Sequence, residues 1–179
     1  MRIIGGEWKG RTIVPPKNLR ARPTTDFAKE NLFNILINSY DFPQMDILDL
    51  FSGTGSISME FLSRGAHSVT SIEINAIHQA FIASTGRLLG AKNLYSLKAN
   101  AFLYLKSTPK KFDLIFSDAP YDLKGSDAVI DIVFERKLLN TDGILIFEHS
   151  DRYDFSKHPN FEKLRKYGSV HFSFFRDIE

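Results

Sequence analysis

The chain of 179 residues contains no cysteine, which excludes a disulfide framework, a thiolate nucleophile and any cysteine-ligated zinc or iron–sulfur site. That absence fits a reducing compartment. No apolar run approaches the roughly 18 residues that a membrane span requires. The opening Met1-Arg-Ile-Ile-Gly-Gly6 lacks the apolar stretch of a signal peptide. His67, His78, His149, His158 and His171 are scattered, which reads as surface or packing histidines, and no metal site is expected. Neither sign of charge dominates, with 23 Lys and Arg against 21 Asp and Glu. A hydrophobic content of 43% is that of a globular chain, and the length suffices for one well-packed body. Together these features describe a soluble, cytoplasmic protein, with a monomer as the simplest expectation.

The near balance of charge conceals a split. Residues 1–22 carry Arg2, Lys9, Arg11, Lys17, Arg20 and Arg22 against Glu7 alone, a net +5, and the remainder carries −3. A basic arm on a mildly acidic body suits a polyanionic partner, although a solvated terminus would look the same by charge alone. Short β-branched runs around Gly5-Gly6-Glu-Trp-Lys-Gly10 predict a small β-hairpin, ended by Pro15-Pro16. The chain is therefore divided into an arm, residues 1–23, and a body, residues 24–179.

Beyond the arm the pattern alternates. Thr24-Thr25-Asp26 offers N-cap oxygens for a helix to about Asn38 with Ala28, Leu32, Ile35 and Leu36 on one face. Strands are predicted at 46–50, 68–74, 93–99, 112–117 and 143–147. Helices fall between them at Ser56–Arg64, around Ile77–Leu88, near Ala101–Lys106 and around Val129–Phe134. In the third helix Ile77, Ala80, Phe81, Ser84 and Leu88 are expected to face inward. Two closing runs, Phe161–Arg165 and Ser169–Phe175, read as a terminal hairpin. This order predicts a doubly wound, mostly parallel α/β sheet with a C-terminal antiparallel hairpin.

In such folds ligands sit beyond the carboxyl ends of the strands. There the sequence reads Leu48-Asp-Leu-Phe-Ser-Gly-Thr-Gly-Ser56. Gly53 and Gly55 permit a sharp turn and close approach of a ligand. The third glycine of a dinucleotide fingerprint is replaced by Ser58, which disfavours a pyrophosphate site and with it a nicotinamide oxidoreductase. Glu73 ends the second strand, where a carboxylate accepts both hydroxyls of a ribose. Asp49 lies in a buried strand end and requires a partner there.

A second loop, Ser117-Asp-Ala-Pro-Tyr121, follows the fourth strand. Asp118 is placed to face the same cleft, Pro120 stiffens the turn and Tyr121 presents a ring. An acceptor beside an aromatic plate suits a flat base with an exocyclic amine. The Ala119 carbonyl is placed to take the second amine proton and so orient the nitrogen lone pair. Asp and Pro are also ordinary turn residues, so this loop gains its meaning from the glycine loop beside it.

These residues resemble the motifs of S-adenosylmethionine-dependent amino-methyltransferases, whose second loop reads Asp/Asn-Pro-Pro-Tyr/Phe. Arg2-Ile-Ile-Gly-Gly-Glu-Trp-Lys-Gly-Arg11, Arg22-Pro-Thr-Thr-Asp26 and Lys29-Glu-Asn-Leu-Phe-Asn34 are similar more narrowly to the bacterial 16S ribosomal RNA guanine-N2 methyltransferases. The likeness spans nearly the whole chain. It implies a Rossmann-like class I methyltransferase domain with S-adenosylmethionine as cofactor. Cofactor contacts would come from Asp49, Phe51, Ser52, Gly53 and Gly55, from Glu73 and Ile74, from Asn100 and Ala101 near the adenine, and from Asp118. The catalytic loop would be Asp118, Ala119, Pro120 and Tyr121, with Ala119 standing where the family has its first proline. RNA contacts would fall on Arg2, Trp8, Lys9, Arg11, Arg20, Arg22 and Thr24, with Trp8 either stacking on a base or plugging its own hairpin. The implied partner is 16S ribosomal RNA or a small-subunit assembly particle. An adenine-N6 methyltransferase acting on DNA or RNA shares the second loop and differs only in target. A silent RNA-binding or assembly factor is the reading that Ala119 leaves open.

Overall fold

In the computed structural model, which describes residues 1–19 and 24–177, seven strands share one sheet. They are β1 (Asp46–Leu50), β2 (Ser68–Glu73), β3 (Leu94–Lys98), β4 (Phe112–Ser117), β5 (Leu139–His149), β6 (Phe161–Tyr167) and β7 (Val170–Phe175). Their order is β3-β2-β1-β4-β5-β7-β6. The first five are parallel, and β7 pairs antiparallel to both β5 and β6. The alternating sequence and its closing hairpin thus produce the mostly parallel Rossmann-like sheet. Helices α1 (Asp26–Ile37), α2 (Ser56–Ser63), α3 (Ala76–Leu89), α4 (Ala101–Ser107) and α5 (Ala128–Glu135) connect it. No helix among the described residues is long and apolar enough to cross a membrane.

Both faces of the sheet are covered, which explains the near-continuous apolar runs of β1, β4 and β5. On one face α1 and α2 bring Leu32, Phe33, Leu36 and Phe61 onto Ile47, Leu114 and Ile146. The Phe33 and Phe61 rings meet edge to face at 4.7 Å. On the other, Leu105 of α4 and Val129, Ile130 and Val133 of α5 pack on Ile115, Leu145 and Phe147. Local signals set the helix ends. The Thr25 hydroxyl accepts from Ala28 N–H at 3.2 Å, and Asn75 and Asn100 cap α3 and α4 in the same manner. Gly90, left-handed at φ 76°, ends α3.

The expected inner face of α3 is displaced. Ile82, Thr85, Gly86 and Leu89 are the buried residues, whereas Ile77 and Leu88 are exposed. Gly86 lies on this buried face, where a Cβ would meet the end of the Leu94 side chain at 2.5 Å. Strand β5 also begins earlier than expected, at Leu139, with a register shift opposite Phe112 and Leu114.

The N-terminal segment forms a minimal hairpin bridged at Arg2 and Thr12. Ile3 N–H donates to Arg11 C=O at 3.0 Å and Ile13 N–H to Met1 C=O at 2.8 Å. Ile3, Trp8 and Ile13 belong to the same apolar cluster as α1 and α2, so residues 1–13 pack onto the body.

Candidate active site

The sheet order reverses at β1, which has β2 on one side and β4 on the other. Beyond the carboxyl ends of these strands the connecting loops diverge, and a cavity of about 650 Å³ opens there. Asp49, Phe51, Ser52, Gly53, Glu73, Ile74, Asn100, Ala101, Asp118, Ala119, Pro120 and Tyr121 all line it. Gly55 does not. It adopts φ 76° at the N-cap of α2, and a Cβ there would lie 2.9 Å from Ile82 Cγ1. Gly55 therefore shapes the turn against α3.

The glycine loop folds tightly, with Phe51 and Gly53 both at φ 56° and Gly55 N–H donating to Ser52 C=O at 2.7 Å. Glu73 clasps this loop. Its Oε2 accepts from Gly53 N–H and its Oε1 from Asn75 N–H, each at 2.8 Å. A carboxylate oxygen accepts more than one hydrogen bond, so each keeps acceptor capacity toward the cavity.

Asp49 finds the partner that its burial demands in Ser58, whose hydroxyl donates to Oδ2 at 2.5 Å. The residue that departs from a dinucleotide fingerprint thus holds the acid behind the loop. Burial pushes the Asp49 carboxyl up to about 7; Ser58 and Ser52 pull it down, and the Glu73 charge adds to the rise. A carboxyl raised from 3.8 stabilises the fold fully below pH 4 and progressively less as pH climbs through 7. Stability of the unliganded protein is accordingly expected to fall across this window by up to about 4 kcal/mol. Asp49→Asn should flatten that dependence in urea melts at pH 5 and pH 8, and an unchanged slope in the variant would remove Asp49 as its source.

Asp118 leaves β4 at the cavity, and Leu123 N–H donates to Pro120 C=O at 2.9 Å to close the turn behind it. Glu148, buried near the end of β5, also faces the cavity. The Thr24 hydroxyl lies 2.9 Å from Glu148 Oε2 and 3.4 Å from Asp118 Oδ2, between the two carboxylates. Sequence reasoning missed Glu148, although it follows the apolar run Gly143–Phe147 as Asp118 follows β4. Phe102 was missed as well: its ring packs on Phe51 at 5.9 Å, inside the cavity wall.

The expected RNA-contact residues separate. Lys9 and Arg11 are exposed, Arg2 is exposed and pairs with Asp26 at 3.5 Å, and Thr24 lies in the cavity wall. Arg20 and Arg22 lie outside the described residues. Trp8 is only 7% exposed and belongs to the apolar cluster beneath the hairpin, the packing that the plug reading describes. His149 and His171 pack edge to face at 5.6 Å, with Ser173 at 2.7 Å from His149 Nε2.

Residues 1–176 match the profile of a family described as Conserved hypothetical protein 95. Ribosomal RNA small subunit methyltransferase D of Haemophilus influenzae is 31% identical over 160 residues, covering 83% of this chain and 78% of that protein. The solved structure of yhhF from Escherichia coli superposes with a TM-score of 0.84 at 26% identity, over 98% of this chain and 96% of that chain. SMU.776, solved in complex with SAH, shares the fold with a TM-score of 0.66 at 17% identity, over 83% of this chain and 49% of that chain.

Proposed function

Because the chain belongs to the Conserved hypothetical protein 95 family and resembles a ribosomal RNA small subunit methyltransferase D, we propose that it methylates the exocyclic N2 amine of a guanine in 16S ribosomal RNA. The observation that carries this reading is the convergence of Glu73 and the Asp118-Ala-Pro-Tyr loop on one cavity. S-adenosylmethionine is the cofactor of this reading and supplies a sulfonium-activated methyl group.

The cavity fits that cofactor. Its volume lies within the range of small-molecule sites. Glu73 is held by two backbone N–H groups with acceptor capacity left for a ribose diol. Phe51, Phe102 and Ile74 provide apolar walls, and Asn100 and Ala101 stand at the start of α4 beside them. Asp118 accepts a hydrogen bond from one proton of the target amine, the Ala119 carbonyl accepts one from the other, and Tyr121 stacks on the ring. Guanine N2 is a poor nucleophile because its lone pair is delocalised, so positioning is the main contribution of the protein. Held by Glu73 against Phe51 and Phe102, the cofactor would supply its methyl group to the N2 lone pair, and the electron pair of its S–C bond would stay on sulfur. Asp118 stabilises the positive charge that develops on nitrogen, and one amine proton departs to solvent. Exposed Lys9, Arg11 and Arg2, with Arg20 and Arg22, provide the phosphate contacts, and the reaction takes place in the cytoplasm.

Small subunits, or their RNA, from cells lacking this enzyme should accept label from S-adenosylmethionine, with nucleoside analysis placing it on guanine N2. Label on adenine N6 would transfer the activity to the other amine, and no label would defeat the proposal. Glu73→Ala should weaken S-adenosylmethionine binding by roughly 10–100-fold in calorimetric titration, since the diol loses its acceptors and Gly53 N–H its partner. A dissociation constant within twofold of wild type would exclude Glu73 from the ribose site.

A further inference from the structure

Two carboxylates, not one, stand where the target base enters. Ser117 of β4 pairs with Phe147 of β5 in parallel register, so Asp118 and Glu148 follow each other across neighbouring strands, roughly 4.8 Å apart. Strand alternation sends both side chains to the same side, and both line the cavity. The Thr24 hydroxyl stands between them, and each carboxylate has acceptor sites beyond those one hydroxyl can fill.

Resting on the guanine reading above, we infer that Glu148 is the specificity-determining residue: it accepts the N1–H of guanine while Asp118 holds the N2 amine. The argument comes from the edges of the bases. Three bases carry an exocyclic amine. In adenine and cytosine the ring nitrogen on the amine's pairing edge is a bare acceptor, whereas in guanine the corresponding N1 bears a hydrogen. A carboxylate offers only acceptors. Set beside the acceptor of the amine, it rewards guanine with a hydrogen bond and sets lone pair against lone pair with the other two. The Asp118 loop alone cannot make this distinction, since an amine donates to it whichever base it belongs to. Glu148 is also buried, which makes a failed pairing costly.

The test removes the N1 hydrogen from the substrate and not only the carboxylate from the enzyme. The methylated nucleotide is first located by labelling. Small subunits are then reconstituted with ligated RNA bearing guanine or 2-aminopurine at that position. The analogue keeps the 2-amine and has a bare N1. Wild-type enzyme should show kcat/KM roughly 100-fold lower on 2-aminopurine. With Glu148→Gln, whose amide can donate to a bare N1, the ratio should contract to within about tenfold. Equal use of the two bases by the wild type would overturn the assignment, and that arm requires no variant to fold. A variant slower on both bases with the 100-fold ratio intact would overturn it as well, leaving Glu148 a structural role. Failure of the underlying reading is separately visible, because label would then appear on adenine in the first step.

Discussion

Asp118→Asn is expected to lower kcat for RNA methylation at least roughly 1,000-fold while S-adenosylmethionine affinity stays within about threefold. The substitution preserves shape and turn, so the loop closed by Leu123 N–H and Pro120 C=O should persist. What changes is polarity at the reacting atom. A carboxylate draws an amine proton and faces the positive charge that develops on nitrogen, whereas a carboxamide carries no charge and can turn its own NH2 toward the incoming amine. Loss of one preorganised electrostatic partner costs about 100–1,000-fold, and the misoriented nucleophile adds to it. On the proposed reading the cofactor is held mainly by Glu73 and the glycine loop, across the cavity from Asp118, which is why its affinity should change little. Single-turnover rates with saturating cofactor, alongside calorimetry, separate the two quantities. A variant retaining more than a tenth of the wild-type rate would remove Asp118 from catalysis, and a large loss of cofactor affinity would recast it as a cofactor ligand.

The parts of this site that were legible in the sequence are those set by local chemistry. Phe112–Ser117 was bounded correctly because an apolar run ends in Ser-Asp-Ala-Pro, and the glycine loop because Gly53 and Gly55 leave few other backbone options. Glu148 was legible only in part, as an acid that follows the apolar run Gly143–Phe147. Its neighbours Glu148-His149-Ser150 give no turn signal, and its meaning comes only from the β4–β5 register that sets it beside Asp118. The face of α3 was misread for a related reason. Apolar residues lie on two of its sides, and the buried side carries Thr85 and Gly86, which an apolar count passes over. Trp8 was open to two readings because an aromatic in a basic arm serves a base or a core equally well. In the fold its ring packs in the apolar cluster shared by Ile3, Ile13 and α2.

The largest stability effect should come from Glu60, in a position that reads as an ordinary polar residue of α2. Its side chain is fully buried and stands 3.6 Å from the equally buried Lys29 ammonium. It also accepts from Ile4 N–H at 3.0 Å, Gly5 N–H at 2.8 Å and the Arg64 guanidinium at 2.9 Å. Lys29 completes the seam by donating to Arg2 C=O at 2.5 Å and to the Ser56 hydroxyl at 3.0 Å. Burial holds the Lys29 ammonium below its usual range, with the Glu60 charge pulling it back up. Glu60→Ala should cost about 3–5 kcal/mol, because it leaves a buried cation and two backbone N–H groups without their acceptor. For a chain of this length that is a fall in Tm of about 6–20 °C. Without Glu60 the Lys29 pKa drops further below 10.5, so the folded state binds fewer protons than the unfolded one and the deficit should narrow as pH rises toward 10. Lys29→Met/Glu60→Leu removes both charges and distinguishes the causes. Were the ion pair the whole of the effect, the double variant would recover to within about 1 kcal/mol of wild type. With Ile4 and Gly5 still orphaned, it should remain about 2–4 kcal/mol short. A single variant losing less than 1 kcal/mol would mean that water supplies the acceptors that Glu60 provided. The seam joins the arm at Arg2, Ile4 and Gly5 to Ser56 in the cavity wall, so its loss should also loosen the first turn of α2 and raise the Kd for S-adenosylmethionine before global unfolding begins.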